Sequence, residues 1–278
     1  MKYNICIIRP QNYVHSSAFI ELAELVCYGL RDLGYTAVVN ENNICTEARN
    51  IIIGCHLLDP ASVNRLPQSS IILNTEQLYN DEDYWVNKVT NWTSRFETWD
   101  YSRLNLEKLS TLPHSKLGFL PIGYHRELAR IKSADEQDID VLFYGSVNER
   151  RQKILADLTN AGLRVQAIFG VYGQQRDALI ARSKVVLNMH LHKSQIFEIV
   201  RVFYLMINGK AVVGEVGERT AIESCYLDGI QPATYDGLVD WCRTLVFDAE
   251  LRRSVEKKAF DTIRLMPQGE LMAPLLTD

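Results

Sequence analysis

The chain has 278 residues, 47% of them hydrophobic and 23% charged, which is long enough to bury two cores and too apolar for disorder. A formal charge of −4 argues against a general electrostatic grip on nucleic acid or on an anionic membrane. No run approaches a membrane span, MKYNICIIRP lacks a signal-peptide core, and six scattered cysteines without a C-x-x-C pair suit buried thiols in a reducing compartment, so a cytoplasmic protein is expected.

In chain order, Tyr3 to Ile8 reads as a strand and Phe19 to Leu33 as a helix with Leu22, Ala23, Val26, Leu30 and Leu33 on its buried face, closed by Gly34. Thr36 to Val39, Asn50 to Ile53 and Ser70 to Leu73 are short β-rich runs. A polar, aromatic-rich stretch spans Asn74 to Tyr101, and Lys116 to Pro121 reads as the last strand of this half. Three polar groups here are candidate general bases: His15 in the loop after the first strand, Glu76 in NTEQL after the strand ending at Leu73, and Asp100 in ETWDYS. Residues 126–138, RELARIKSADEQD, carry no apolar period and read as a linker. The expected domains are therefore residues 1–125 and 139–278.

The second half restarts with a strand at Ile139 to Tyr144, the loop Gly145-Ser146-Val147-Asn148, and a helix from Glu149 to Ala161. This loop can bring backbone N–H groups to a diphosphate, although Ser146 and Glu149 also form an S-x-x-E capping box. Arg150 and Arg151 follow as candidate phosphate ligands or as solvated helix cations. Arg164 to Phe169 is a strand, Gly170-Val171-Tyr172-Gly173 a turn offering a nucleobase edge, and Gln174 to Arg182 a helix.

Ser183 to Glu215 then forms a strand-helix-strand unit. Val185 to Leu187 is a buried strand, Phe197, Val200, Tyr204 and Ile207 mark one face of a helix ended by Gly209, and Ala211 to Gly214 begin the next strand. His190, Lys193, Glu198, Arg201 and Glu215 gather at the carboxyl ends of these strands, where open α/β sheets bind ligands. Glu198 reads either as a ribose ligand or as an i,i+3 partner of Arg201. A helix from Leu251 to Leu265 and an apolar end complete the expected C-terminal domain.

No G-x-G-x-x-G or Walker motif occurs. Asp138-Ile139-Asp140 precedes its strand at the wrong end for a metal site, Asp81-Glu82-Asp83 suits a helix start, and Asn91-Trp92-Thr93 has no secretory route, so no metal or bound cofactor is expected. The fold class expected is α/β, with two Rossmann-like βαβ domains facing a central cleft.

The segments IILNTEQLY, FETWDYSRLNLEKL, LPIGYH, DIDVLFYGSVNERRQKIL, IFGVYGQQRDALIARSKVVLNMH and IFEIVRVFYLMINGKAVVGE resemble bacterial and phage glycosyltransferases of GT-B architecture, from about Ile71 to Glu215. The resemblance implies a nucleotide-diphosphate sugar held by the C-terminal domain, an acceptor held by the N-terminal one, and no obligatory metal. By position it assigns Gly145, Ser146 and Arg150 or Arg151 to the phosphates, Tyr172 and Gly173 to the base, and His190, Lys193, Glu198 and Arg201 to the sugar, ribose and diphosphate. The acceptor stays open among a glycan, a small molecule, a protein and a modified DNA base. A phage-type hydroxymethyl-pyrimidine sugar transferase and a catalytically silent nucleotide-binding module are the alternatives. Met206 stands where the E-x7-E motif of many retaining members would place a second Glu after Glu198, which leaves the stereochemistry open.

Overall fold

Runs such as Ile51-Ile52-Ile53 and Ile71-Ile72-Leu73 have no polar alternation, so both faces of their sheet must be covered, and a parallel sheet flanked by helices meets that demand. A computed structural model describes residues 1–78, 83–191 and 195–277. It divides into two compact units, Met1–His125 with Met266–Asp278, and Arg126–Leu265.

The first unit runs β1 (Lys2–Ile7), α1 (Ile20–Asp32), β2 (Thr36–Glu41), β3 (Arg49–Ile53), α2 (Pro60–Asn64), β4 (Ile71–Asn74), α3 (Asp83–Thr93), β5 (Glu97–Asp100), α4 (Arg103–Ser110) and β6 (Leu117–Phe119). Its six strands lie in the order β2-β1-β3-β4-β5-β6, every pair parallel. α3, β5 and α4 carry the stretch that sequence left without elements. β5 reads Glu97-Thr98-Trp99-Asp100, yet all four residues are buried. Glu97 survives there because its carboxylate accepts from Trp99 Nε1 at 2.8 Å and pairs with Arg49 at 2.6 Å.

The second unit runs β7 (Ile139–Tyr144), α5 (Glu149–Asn160), β8 (Val165–Ile168), α6 (Gly173–Arg182), β9 (Ser183–Asn188), α7 (Ile199–Ile207), β10 (Ala211–Glu215), β11 (Gln231–Ala233), α8 (Leu238–Phe247) and α9 (Ala249–Ile263). Its parallel sheet has the order β11-β10-β9-β7-β8. α7 is buried nearly all round, and Gly209, at φ +57°, closes it in the left-handed conformation that its position predicts. Asp140, on β7, pairs with Arg164 and Lys184 at 2.9 and 2.8 Å; the hydrogen bonds from these two cations outweigh the burial that would raise its carboxyl and hold it well below the usual range. It serves the sheet rather than a metal.

Two boundaries differ from the sequence reading. Residues 126–138, read as a linker, belong to the second unit: Asn208 Oδ1 accepts from the Arg130 and Ile131 N–H groups at 2.7 and 2.6 Å, and Lys210 Nζ donates to Ser133 Oγ at 2.8 Å. These bonds use backbone and single side chains, so no apolar period announces them. Residues 266–278, assigned to the C-terminal domain, belong to the first unit. Their helix α10 (Gln268–Met272) packs on α1, while Gln268 accepts from Gly123 N at 2.7 Å and donates to Pro121 O at 3.1 Å.

A Cβ at Gly123 would overlap the Met266 carbonyl oxygen, which is itself bound to Tyr124 N–H and cannot yield. Gly123→Ala is therefore expected to cost about 3 kcal/mol of stability. A denaturant titration checks this, and an unmoved midpoint would rule out the docking of the tail described above.

Candidate functional site

In the second unit, β7, β9 and β10 end side by side, and His190, Glu198, Arg201 and Glu215 lie at or after the carboxyl ends of these strands. The cap of α5 is Asn148, whose Oδ1 accepts from Arg151 N at 3.0 Å, rather than the Ser146 and Glu149 box. Ser146 is consequently exposed, and its carbonyl accepts from Arg151 Nη1 at 2.8 Å.

Three guanidinium groups meet two carboxylates on this edge. Arg150 is half-buried: it forks onto Glu215, with Nη1 at 2.8 Å from Oε2, and lies over the Tyr235 ring at 3.9 Å from its centroid. Arg151 is 1% exposed and donates to the carbonyls of Ser146, Met189 and His190, with Glu198 at 3.6 Å. Burial, followed by the neighbouring Arg201 charge, lowers its pKa to about 10, so it remains a cation at neutral pH. Arg201 donates through Nη1 to Asn188 Oδ1 at 3.2 Å and lies over Tyr144.

Glu198 is 8% exposed and the N-cap residue of α7. Its carboxylate accepts from Asn188 Nδ2 at 2.9 Å and faces His190 Nδ1 at 3.6 Å. Burial alone would raise its pKa, but His190, Arg201 and Asn188 together hold it below the usual value. His190, 3% exposed, meets Thr220 Oγ1 at 3.1 Å through Nε2 and gives its backbone N–H to Glu215. Glu198, Glu215 and His190 thus lie beneath the surface and hold the arginines in place. Sequence alone could not divide these groups into presenting and supporting residues.

Gly145 opens this layer. At φ +143° it bears no side chain, and a Cβ placed there would stand 3.4 Å from Arg201 Nη2 and 3.6 Å from Arg151 Nη1. The missing methyl leaves a point reached by two guanidinium groups, at the amino end of α5. Such a point suits an anion. Beside it, Gly145 N bonds to Ile168 O, and Phe169 follows with 60% of its surface exposed; Tyr172 caps α6, which opens at Gly173. Val147 is a further exposed apolar group on this edge, and sequence reading missed both Phe169 and Val147. Lys193 lies outside the described residues.

In the first unit, Glu76 follows β4 and Asp100 ends the adjacent β5, in different settings. Asp100 is fully buried and accepts from Asn74, Asn105 and the Ser102 N–H; burial raises its pKa to about 7 against the pull of these donors. Glu76 keeps 27% of its side chain exposed and stands 3.3 Å from His56 Nε2. The surrounding protein desolvates the Glu76 carboxyl and raises its pKa to about 7, partly offset by Thr75 and Lys88. Burial and the Lys88 charge lower His56 to about 4, so the pair is not a fixed ion pair at neutral pH.

His56 was missed by sequence reading, although it follows β3 in the same way that Glu76 follows β4. Phe19 reaches the His56 ring edge-on at 6.1 Å. His15, four residues earlier in that turn, lies edge-on to Tyr13.

No family model matches the chain. Uncharacterized protein L140 of Acanthamoeba polyphaga mimivirus is 28% identical over 178 residues, covering 62% of this chain and 55% of that protein. Uncharacterized protein L137 of the same virus is 28% identical over 173 residues, covering 58% of this chain and 22% of that protein. The chain thus spans about half, or less, of the curated relatives it matches. Among solved structures, a T4 phage BGT mutant in complex with UDP-glucose superposes with a TM-score of 0.64 at 12% identity, covering 99% of this chain and 98% of that one. Anabaena Alr3699/HepE in complex with UDP gives 0.62 at 12% identity, covering 99% of both chains. The DNA modifying enzyme β-glucosyltransferase, solved with and without its substrate uridine diphosphoglucose, gives 0.54 at 11% identity, covering 99% and 98%. At such identities the likeness is one of fold, and the fold is the two-sheet α/β architecture of GT-B glycosyltransferases.

Proposed function

We propose that the chain is a glycosyltransferase that moves a sugar from a nucleoside-diphosphate donor to an acceptor hydroxyl, without a metal ion and with inversion at the anomeric carbon. The observation that carries this reading is the approach of the Arg201 and Arg151 guanidinium groups to Gly145, which has no side chain between them and the loop before α5. The donor diphosphate sits there, with Ser146 at the amino end of α5, and the nucleobase lies along Phe169, Tyr172 and Gly173. UDP is the first donor to try, because two of the structures sharing the fold carry UDP or UDP-glucose.

Glu76 acts as the base. Its carboxylate takes the acceptor O–H proton, the oxygen bonds to the anomeric carbon, and the bond from that carbon to the β-phosphate oxygen breaks, leaving its electron pair on the diphosphate. Arg151 and Arg201 stabilise the departing charge, the task a metal performs elsewhere. Met206, buried in α7, supplies no second carboxylate for a retaining site. The free cysteines agree with a reducing compartment such as the cytoplasm, and among the described residues no helix is long and apolar enough to cross a membrane.

A DNA acceptor is favoured only by the likeness to a DNA-modifying enzyme. The first unit, residues 1–125 with 266–278, carries ten Lys and Arg against fifteen Asp and Glu, a formal −5, which disfavours a polyanionic acceptor. A thermal-shift comparison of UDP, GDP, CDP, TDP and ADP tests the donor reading. The expected result is a base-selective stabilisation of about 2.7 kcal/mol at a hundredfold excess over Kd, unchanged by EDTA. No shift with any diphosphate would overturn it in favour of the silent module, and loss of the shift with EDTA would remove metal independence.

A further inference from the structure

Asp100 is the most enclosed carboxylate among the described residues of the first unit, and both of its side-chain donors also bind the Glu76 backbone. β4 and β5 pair with Asn74 opposite Asp100. Asp100 Oδ2 accepts from Asn74 Nδ2 at 2.7 Å and from Asn105 Nδ2 at 3.0 Å, and Oδ1 accepts from Ser102 N at 2.7 Å. Both amides turn their NH2 groups toward it, the orientation that its ionised form requires because a carboxylate has no proton to give. Their oxygens then point the other way. Asn74 Oδ1 accepts from Glu76 N at 3.3 Å, and Asn105 Oδ1 accepts from Leu78 N at 2.9 Å. The two NH2 groups also donate to the Glu76 carbonyl, at 2.9 and 2.8 Å.

We infer that Asp100 is a positioning residue for Glu76: by fixing which way Asn74 and Asn105 face, it clamps the Glu76 backbone and sets its carboxyl against His56. This rests on the reading of Glu76 as the base, and it removes Asp100 from the candidate bases. The side chain has no exposed surface from which to meet an acceptor. Asn74, Asn105 and Ser102 enclose it, and charged Lys88 faces Glu76 and His56 from α3.

Asp100→Asn puts an amide where three donors converge, so at least one neighbouring amide must flip and release the Glu76 carbonyl. Asn105→Ala cuts the ties to Glu76 O and Leu78 N while leaving Asp100 two donors, and it covers the case in which Asp100→Asn fails to fold. UDP-glucose hydrolysis, with water as the acceptor, is followed against pH in the full chain, together with the carbon-NMR titration of the Glu76 carboxyl. Both variants are expected to lower kcat by at least about tenfold, to move the Glu76 titration away from about 7, and to leave UDP affinity unchanged.

A lower melting temperature with wild-type kcat and an unmoved Glu76 titration would overturn the positioning role. Glu76→Gln, run beside them, separates the two ideas. If Glu76→Gln hydrolyses UDP-glucose at the wild-type rate, the base assignment falls and the positioning role falls with it. If Glu76→Gln is inactive while the other two variants behave as wild type, only the positioning role is lost.

Discussion

Arg201→Ala is expected to lower sugar transfer by about 10²- to 10³-fold, the usual cost of removing one donor aimed at developing negative charge. The protein should remain folded. Arg201 is only partly buried, and the Glu198 it faces keeps Asn188, His190 and Arg151 as partners. The loss should appear in donor binding and in kcat, because the guanidinium meets the diphosphate before transfer and holds more charge during it. Arg201→Lys restores a point charge without the fork and should recover only part of the rate. Donor titration and single-turnover transfer measure both effects, and a kcat/KM within threefold of wild type would remove Arg201 from the donor site.

Glu76→Gln carries the second large effect, a fall in kcat of about 10²- to 10⁴-fold. Only the carboxylate can accept a proton, so wild-type kcat/KM should fall about tenfold per pH unit below a limb near 7, the value to which burial raises Glu76. The variant should lose that limb and show a flat profile through the same range. His56, lowered to about 4, is neutral across this window and cannot supply the limb itself. A limb that persists at the same pH in Glu76→Gln would assign it to a group other than Glu76, first of all to Asp100, whose carboxyl burial also raises to about 7.

Much of the fold was legible because α/β chains punctuate themselves. Buried strands such as Val185 to Leu187, helix faces such as Leu22, Ala23, Val26 and Leu30, and closing glycines such as Gly34 and Gly209 all lie where the sequence predicts. β5 was not legible, because a strand written Glu-Thr-Trp-Asp becomes apolar only after Arg49, Trp99 and the asparagines neutralise its ends. In the second unit, the gathering of charge at strand ends follows from topology, because parallel strands end on one edge. Which carboxylates face inward depends on pairings such as Arg150 with Glu215, separated by 65 residues, and no local pattern records these. His56 shows the same limit: its interest comes from Glu76, on a different strand.

The return of α10 to α1 makes the first unit discontinuous, with all of Arg126–Leu265 inserted between its parts. Chains emerge from the ribosome at about 5 to 20 residues per second, and domains generally fold as units, the N-terminal one first. Here that order is reversed. The second unit has its whole sequence once Leu265 has emerged, whereas the first still waits for Gln268, which ties Pro121 and Gly123, and for Met272 beside Gly29. A stop codon placed after Leu265 would therefore damage the half of the molecule encoded first, and Arg126–Leu265 is the contiguous fragment suited to separate expression.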